Sequence, residues 1–142
     1  MKNISQPCNV YHLGQLEYGR AWRLQKALVE QISNREQPSS LLLLEHDHVY
    51  TVGRTGSMAE INASAASLLD LGISIYETDR GGQVTYHGPG HLIAYPIIDI
   101  RALGGPLKYI RSLEQIIIKT LSDYNINALT KDGYTGVWVS DE

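Results

Sequence analysis

The sequence has 142 residues, with 15 acidic and 12 basic side chains, a formal charge of −3, 43% apolar and 19% charged residues. That supports one globular domain burying roughly two-thirds of its unfolded surface, and it excludes a disordered polyelectrolyte. The mild acidity argues against a nucleic-acid binder, the single cysteine excludes an internal disulfide or a multi-cysteine zinc site, and the longest apolar run, Leu41-Leu-Leu-Leu44, is far short of a membrane span.

In chain order, the start MKNISQPCNVYHLG has neither the apolar core of a signal peptide nor the arginine-rich character of a transit peptide, so a cytoplasmic protein is expected. Residues 8–13 read as a short first strand. A helix is expected over 16–33, with Tyr18, Ala21, Trp22, Gln25, Leu28, Val29 and Ile32 on one buried face. The four leucines read as a central strand covered on both faces. Residues 49–52 form a second extended piece that stops at Gly53-Arg54-Thr55-Gly56, and Asn62 is expected to cap a short helix through Leu71, with Gly72 as its left-handed exit.

Residues 73–79 alternate as a half-exposed strand, 83–87 resume extended structure, and 91–100 form another strand. Gly105-Pro106 opens the last helix, with Leu107, Ile110, Leu113, Ile117 and Leu121 as its core stripe. A short strand near 126–129, a turn at Gly133 and a strand Gly136-Val-Trp-Val139 follow. Ser140-Asp-Glu142 reads as a hairpin turn with no strand after it, the pattern either of a chain cut in mid-fold or of a capped terminal edge strand. The elements together predict an α+β domain around a mixed, mostly antiparallel sheet.

The segment richest in chemistry is Arg80-Gly-Gly-Gln-Val-Thr-Tyr-His-Gly-Pro-Gly90. Gly81 and Gly82 permit positive φ and close ligand approach to backbone N–H groups. Gln83, Thr85 and His87 fall on one side of an extended stretch, with Val84 and Tyr86 on the other. The segment is expected to line the main apolar pocket. Elsewhere the signals are weaker. His46 and His48 share a strand face but lack further metal ligands, and read as surface histidines. His87 and His91 flank Gly-Pro-Gly and cannot form a helical zinc motif. Gly53-Arg54-Thr55-Gly56 reads as a loop with a solvated arginine, and Cys8, with no cation beside it in sequence, as a passive thiol. No metal site is expected.

Arg80-Gly-Gly-x-x-Thr85-Tyr-His-Gly-Pro-Gly90 resembles the signature of the lipoyl(octanoyl) transferases, the B-type lipoate–protein ligase family. Tyr18-x-x-Ala21-x-x-Leu24-Gln25, Leu43-Leu-Glu-His46, Val49-Tyr-Thr51-x-Gly53, Tyr95-Pro96-Ile97 with Asp99, and Thr135-Gly-Val-Trp-Val139 are also similar to the family. Position 91 is His where the family usually has Gln. The resemblance implies a biotin/lipoate-protein-ligase-like fold, with residues 1–142 as a single catalytic-type domain that is incomplete at its C-terminus.

The activity implied is transfer of an octanoyl or lipoyl group from acyl carrier protein to a lysine of lipoyl domains, in protein lipoylation. The implied partners are octanoyl-acyl carrier protein, the lipoyl domains of 2-oxoacid dehydrogenases and the glycine cleavage H protein, with neither nucleic acid nor membrane. No cofactor is implied, because thioester exchange through an acyl-enzyme needs no ATP. Arg80, Gly81, Gly82, Gln83, Val84, Thr85, Tyr86 and His87 correspond to the substrate-binding segment, with Val84 and Tyr86 as apolar contacts. The family's nucleophilic cysteine and its lysine lie beyond the position of Glu142. Neither Cys8 nor Lys131 matches them, so this chain alone is expected to be inactive. The alternatives are an ATP-dependent lipoate or biotin ligase, and a non-catalytic module that binds an acyl group or a lipoyl domain.

Overall fold

The computed structural model describes residues 7–139 and separates into two units, Met1–Ile98 and Asp99–Glu142. The reading of Ser140-Asp-Glu142 as a turn lies outside the described residues.

Unit 1 starts with strand β1 (Cys8–Gln15), followed by helix α1 (Tyr18–Ser33) and strand β2 (Ser39–Glu45). β2 is the centre of a mixed three-stranded sheet, parallel to β1 and antiparallel to β6 (Ile93–Ile97). The expectation that β2 is covered on both faces needs correcting. Ser40, Leu42 and Leu44 are fully buried, whereas Leu41 and Leu43 are half-buried, so α1 seals one face only. Ala21 and Leu28 of α1 pack on Leu42, Leu44, Ile93 and Ile97. Each large aliphatic buried this way is worth roughly 1.5–3 kcal/mol relative to exposure. Val29, placed on the buried face by its spacing, is 52% exposed. It sits about 100° around the helix from Leu28, which takes the centre of the contact.

The second sheet has β3 (Val49–Val52) at its centre, parallel to β4 (Ser74–Glu77) and antiparallel to β5 (Val84–His87). One face of it holds a small core of Val52, Ile61 and Leu68, joined by Tyr50, Ile73, Ile75 and Val84. Helix α2 (Ala65–Asp70) is capped by Ser64, whose hydroxyl accepts from Ser67 N, and not by Asn62. Gly72 supplies the left-handed exit at φ +66°. Three of the five strand pairings described are antiparallel and two are parallel, so the sheets are mixed.

Unit 2 comprises α3 (Pro106–Asp123) and a two-stranded hairpin, β7 (Ala128–Leu129) with β8 (Trp138–Val139). The apolar stripe expected on α3 is only partly covered: Leu107 is 71% and Ile117 48% exposed. The buried group on α3 is Glu114, which accepts from Arg111 at 2.7 Å and from Gly136 N at 2.9 Å. Both bonds favour the carboxylate and hold its pKa below the ordinary value, Gly136 N–H contributing most.

Candidate active site

Period-2 alternation along β2 carries one residue past the strand end and sets His46 on the same buried face as Leu42 and Leu44. His46 is therefore 0% exposed, not a surface histidine, while His48, beyond the turn, is exposed. Its Nδ1 lies 2.7 Å from Leu16 O, and a carbonyl only accepts, so Nδ1 carries the proton. Nε2 is then the acceptor of a 2.9 Å bond from the Tyr95 hydroxyl on β6. Burial holds the His46 pKa below its ordinary value, so the neutral tautomer fits both bonds. Burial likewise pushes Tyr95 up to about 12, which keeps it a donor.

Around this pair the rings converge. Tyr18, at the first turn of α1, meets His46 edge-on at 5.1 Å between ring centres. Its position is set by Glu17, which caps the helix by accepting from Gly19 N and Arg20 N, and also accepts from Tyr76 OH at 2.6 Å. That tyrosine bond is the main reason the Glu17 carboxyl lies below its usual pKa. His87, the last residue of β5, approaches His46 at 5.9 Å and His91 at 5.3 Å. Desolvation first, then the neighbouring His91, His46 and Arg80, push the His87 pKa down to about 4, so the ring is neutral near pH 7. Its Nδ1 is buried and has no hydrogen-bond partner among the described residues. A buried polar atom left unpaired in this way costs free energy unless a ligand or water meets it.

The expected alternation in 83–87 is present. Thr85 and His87 lie across the β3–β5 ladder from Thr51 and Val49, both buried. Val84 faces the other way, into the small core of the second sheet. Tyr86 is 44% exposed, lies tilted against Tyr50, and stacks on His48, whose Nδ1 it bonds. Gly81, Gly82 and Gln83 are exposed, with Gly82 at φ +82°. Arg80 is half-buried and folds back on Thr51 and the loop carbonyls. The depressions described on unit 1 are lined by other residues, one by the 52–58 turn with Glu77 and Thr78. Residues 80–87 form instead an interlocked glycine loop leading into one wall of the histidine–tyrosine cluster. Among the described residues, no three His, Cys, Asp or Glu side chains are grouped to hold a metal ion. Cys8 is exposed on β1.

The family model described as "Lipoyl protein ligase A/B catalytic domain" matches residues 17–142. The chain belongs to this family. Among curated relatives, the octanoyltransferase of Chloroflexus aggregans is 42% identical over 131 residues, covering 92% of this chain and 59% of the relative. The octanoyltransferase of Solibacter usitatus is 43% identical over 135 residues, covering 94% and 61%. The chain thus spans about three-fifths of the length of these relatives.

Among solved structures, Plasmodium falciparum LipL1 in complex with lipoate superposes with a TM-score of 0.72 at 17% identity, covering 96% of this chain and 42% of that one. The bipartite lipoate protein ligase of Thermoplasma acidophilum gives 0.65 at 15% identity, covering 95% and 52%. These likenesses show the lipoate-protein-ligase-like fold expected from the signature.

His46, Tyr95, Thr51 and Tyr18 belong to the candidate site and are not among the residues singled out from the glycine-rich signature. All four lie in segments that resemble the family, and for His46 the spacing of two from Leu44 was the available signal.

Proposed function

We propose that this chain forms the acyl-binding part of an octanoyltransferase, which moves an octanoyl or lipoyl group from acyl carrier protein to a lysine of a lipoyl domain. The observation that carries the reading is the level of identity. The curated octanoyltransferases match at about 40% over nearly the whole chain, whereas the ligase structures match at 15–17%. Octanoyl-acyl carrier protein is the proposed donor. Lipoyl domains of 2-oxoacid dehydrogenases and the glycine cleavage H protein are the proposed acceptors, in the cytoplasm. Arg80, Gly81, Gly82, Gln83, Val84, Thr85, Tyr86 and His87 are the proposed substrate-binding segment of one catalytic-type domain.

Two features support it. The glycines leave backbone open beside the loop, and the neutral His87 has an unmet polar atom that a carbonyl-bearing ligand, through a protonated Nδ1, would satisfy. The test is a binding titration of the chain with octanoyl-acyl carrier protein, octanoate and lipoate, with and without ATP. Binding of the octanoyl forms independent of ATP is expected. Pyrophosphate release from ATP in the presence of lipoate would establish a ligase instead.

A further inference from the structure

Thr51 stands third in β3, fully buried, and its hydroxyl and carbonyl oxygens both accept from one side chain. Arg80 donates from Nε and Nη2 to Thr51 Oγ1 at 3.1 and 2.8 Å, and from Nη2 to Thr51 O at 2.6 Å. The same guanidinium reaches its own loop, with Nη2 to Gln83 O at 2.8 Å and Nη1 to Gly81 O at 2.9 Å. The hydroxyl proton of Thr51 goes to Thr85 O at 3.4 Å. The hydroxyl is thus used as double acceptor and single donor, its full capacity. None of these five arginine bonds goes to a carboxylate. The side chain is committed to shaping the backbone around it.

A second, independent observation concerns the turn that follows β3. Gly53 N donates to Gln83 O, Arg54 N to Arg80 O and Thr55 N to Gly82 O, at 3.0–3.3 Å. A Cβ on Gly53 would sit 2.3 Å from Gly82 O, and one on Gly56 would sit 2.9 Å from the Gln83 carbonyl carbon. The two glycine turns are therefore locked backbone to backbone, with the guanidinium on one side of the lock.

We propose that Thr51 is a positioning residue: acting through Arg80, it holds residues 81–83 in the shape that presents the Gly81-Gly82 backbone to the acyl group. The acyl half of this statement rests on the octanoyltransferase reading; the clamp does not. Arg80 is consequently a strut before it is a ligand. Valine at 51 keeps the branched shape and the backbone carbonyl but loses the hydroxyl acceptor of two arginine bonds, whereas serine keeps it.

The experiment compares wild type, Thr51→Val, Thr51→Ser and Arg80→Lys by site-resolved amide hydrogen exchange and by octanoate titration. Thr51→Val and Arg80→Lys should speed exchange at Gly53, Arg54 and Thr55 about tenfold and weaken octanoate binding by about the same factor. Leu42 and Leu44 amides should be unchanged, and Thr51→Ser should lie near wild type in both readouts. Wild-type exchange at the three turn amides in Thr51→Val, or a Thr51→Ser chain behaving like Thr51→Val, would overturn the proposal. Should Thr51→Val not fold, Arg80→Lys decides by the same criteria. A wild-type chain that binds no octanoate would remove the acyl reading, while the exchange comparison still judges the clamp.

Discussion

Gly53→Ala puts the backbone lock to a stringent test, because the added methyl has nowhere to go. Its carbon would lie 2.3 Å from Gly82 O and 3.0 Å from both Gly81 O and Arg80 Nη1. An ordinary contact needs about 3.5 Å, so the two turns must part by about 1 Å. Parting strains or breaks the bonds from Gly53 N to Gln83 O and from Thr55 N to Gly82 O. Overpacking costs about 1–3 kcal/mol and each lost hydrogen bond about 0.5–1.5 kcal/mol. A loss of about 2–4 kcal/mol is expected, a large share of the roughly 5–15 kcal/mol that holds a domain folded. Gly81→Ala is the internal control, since a Cβ there meets nothing within 4 Å and its φ is not positive. In urea unfolding with a slope of about 2 kcal/mol/M, Gly53→Ala should lower the midpoint by about 1–2 M. Gly81→Ala should leave it where it is or raise it slightly. Equal midpoints for the two variants would refute the argument that residues 53–56 and 80–83 meet through their backbones.

Three further outcomes follow from the same geometry. His87 titrates at about 4 in the folded chain against an ordinary 6.5, so below pH 6.5 the unfolded state takes a proton that the folded state refuses. Stability should therefore fall as pH drops from about 6.5 to about 4, and the fall should be shallower in His87→Gln; parallel curves for the two proteins would contradict the burial of this ring. Tyr95→Phe leaves the buried His46 Nε2 without its donor and should cost about 1–3 kcal/mol in unfolding free energy. An unchanged urea midpoint would mean the His46–Tyr95 bond is not made. In unit 2, Glu114→Ala removes the acceptor of the Gly136 N–H and should speed exchange at that amide, with unaltered protection as the contrary result.

Much of this fold could be read from periodicity, and the reasons for the exceptions are local. The leucine run and the Pro106 start of α3 each carry a signal within their own few residues, whereas the strand expected over 91–100 is confined to Ile93–Ile97. Val29 and the α3 stripe were misjudged because spacing tells which residues share a face but not what covers it. The same distinction governs the site. The glycines of 80–90 announced an unusual backbone, and the family signature marked the segment. The glycines that permit the close backbone approach, however, are Gly53 and Gly56, about thirty residues away in sequence, whose added Cβ atoms would meet Gly82 O and the Gln83 backbone. His46 was read from its neighbours Asp47 and His48 as a surface group. Its environment comes from Leu16, Tyr18 and Tyr95, which no local pattern ties to it.

The octanoyl site proposed at residues 80–87 lies beside the His46 and His87 rings. Amide NMR spectra of the isotope-labelled chain, recorded during titration with octanoate, address it directly. The largest shifts should cluster at Gly81, Gly82, Gln83 and His87, with smaller ones at His46 and His91. Shifts confined to the opposite sheet face around His12, Leu43 and Leu92, with residues 80–87 unmoved, would contradict it.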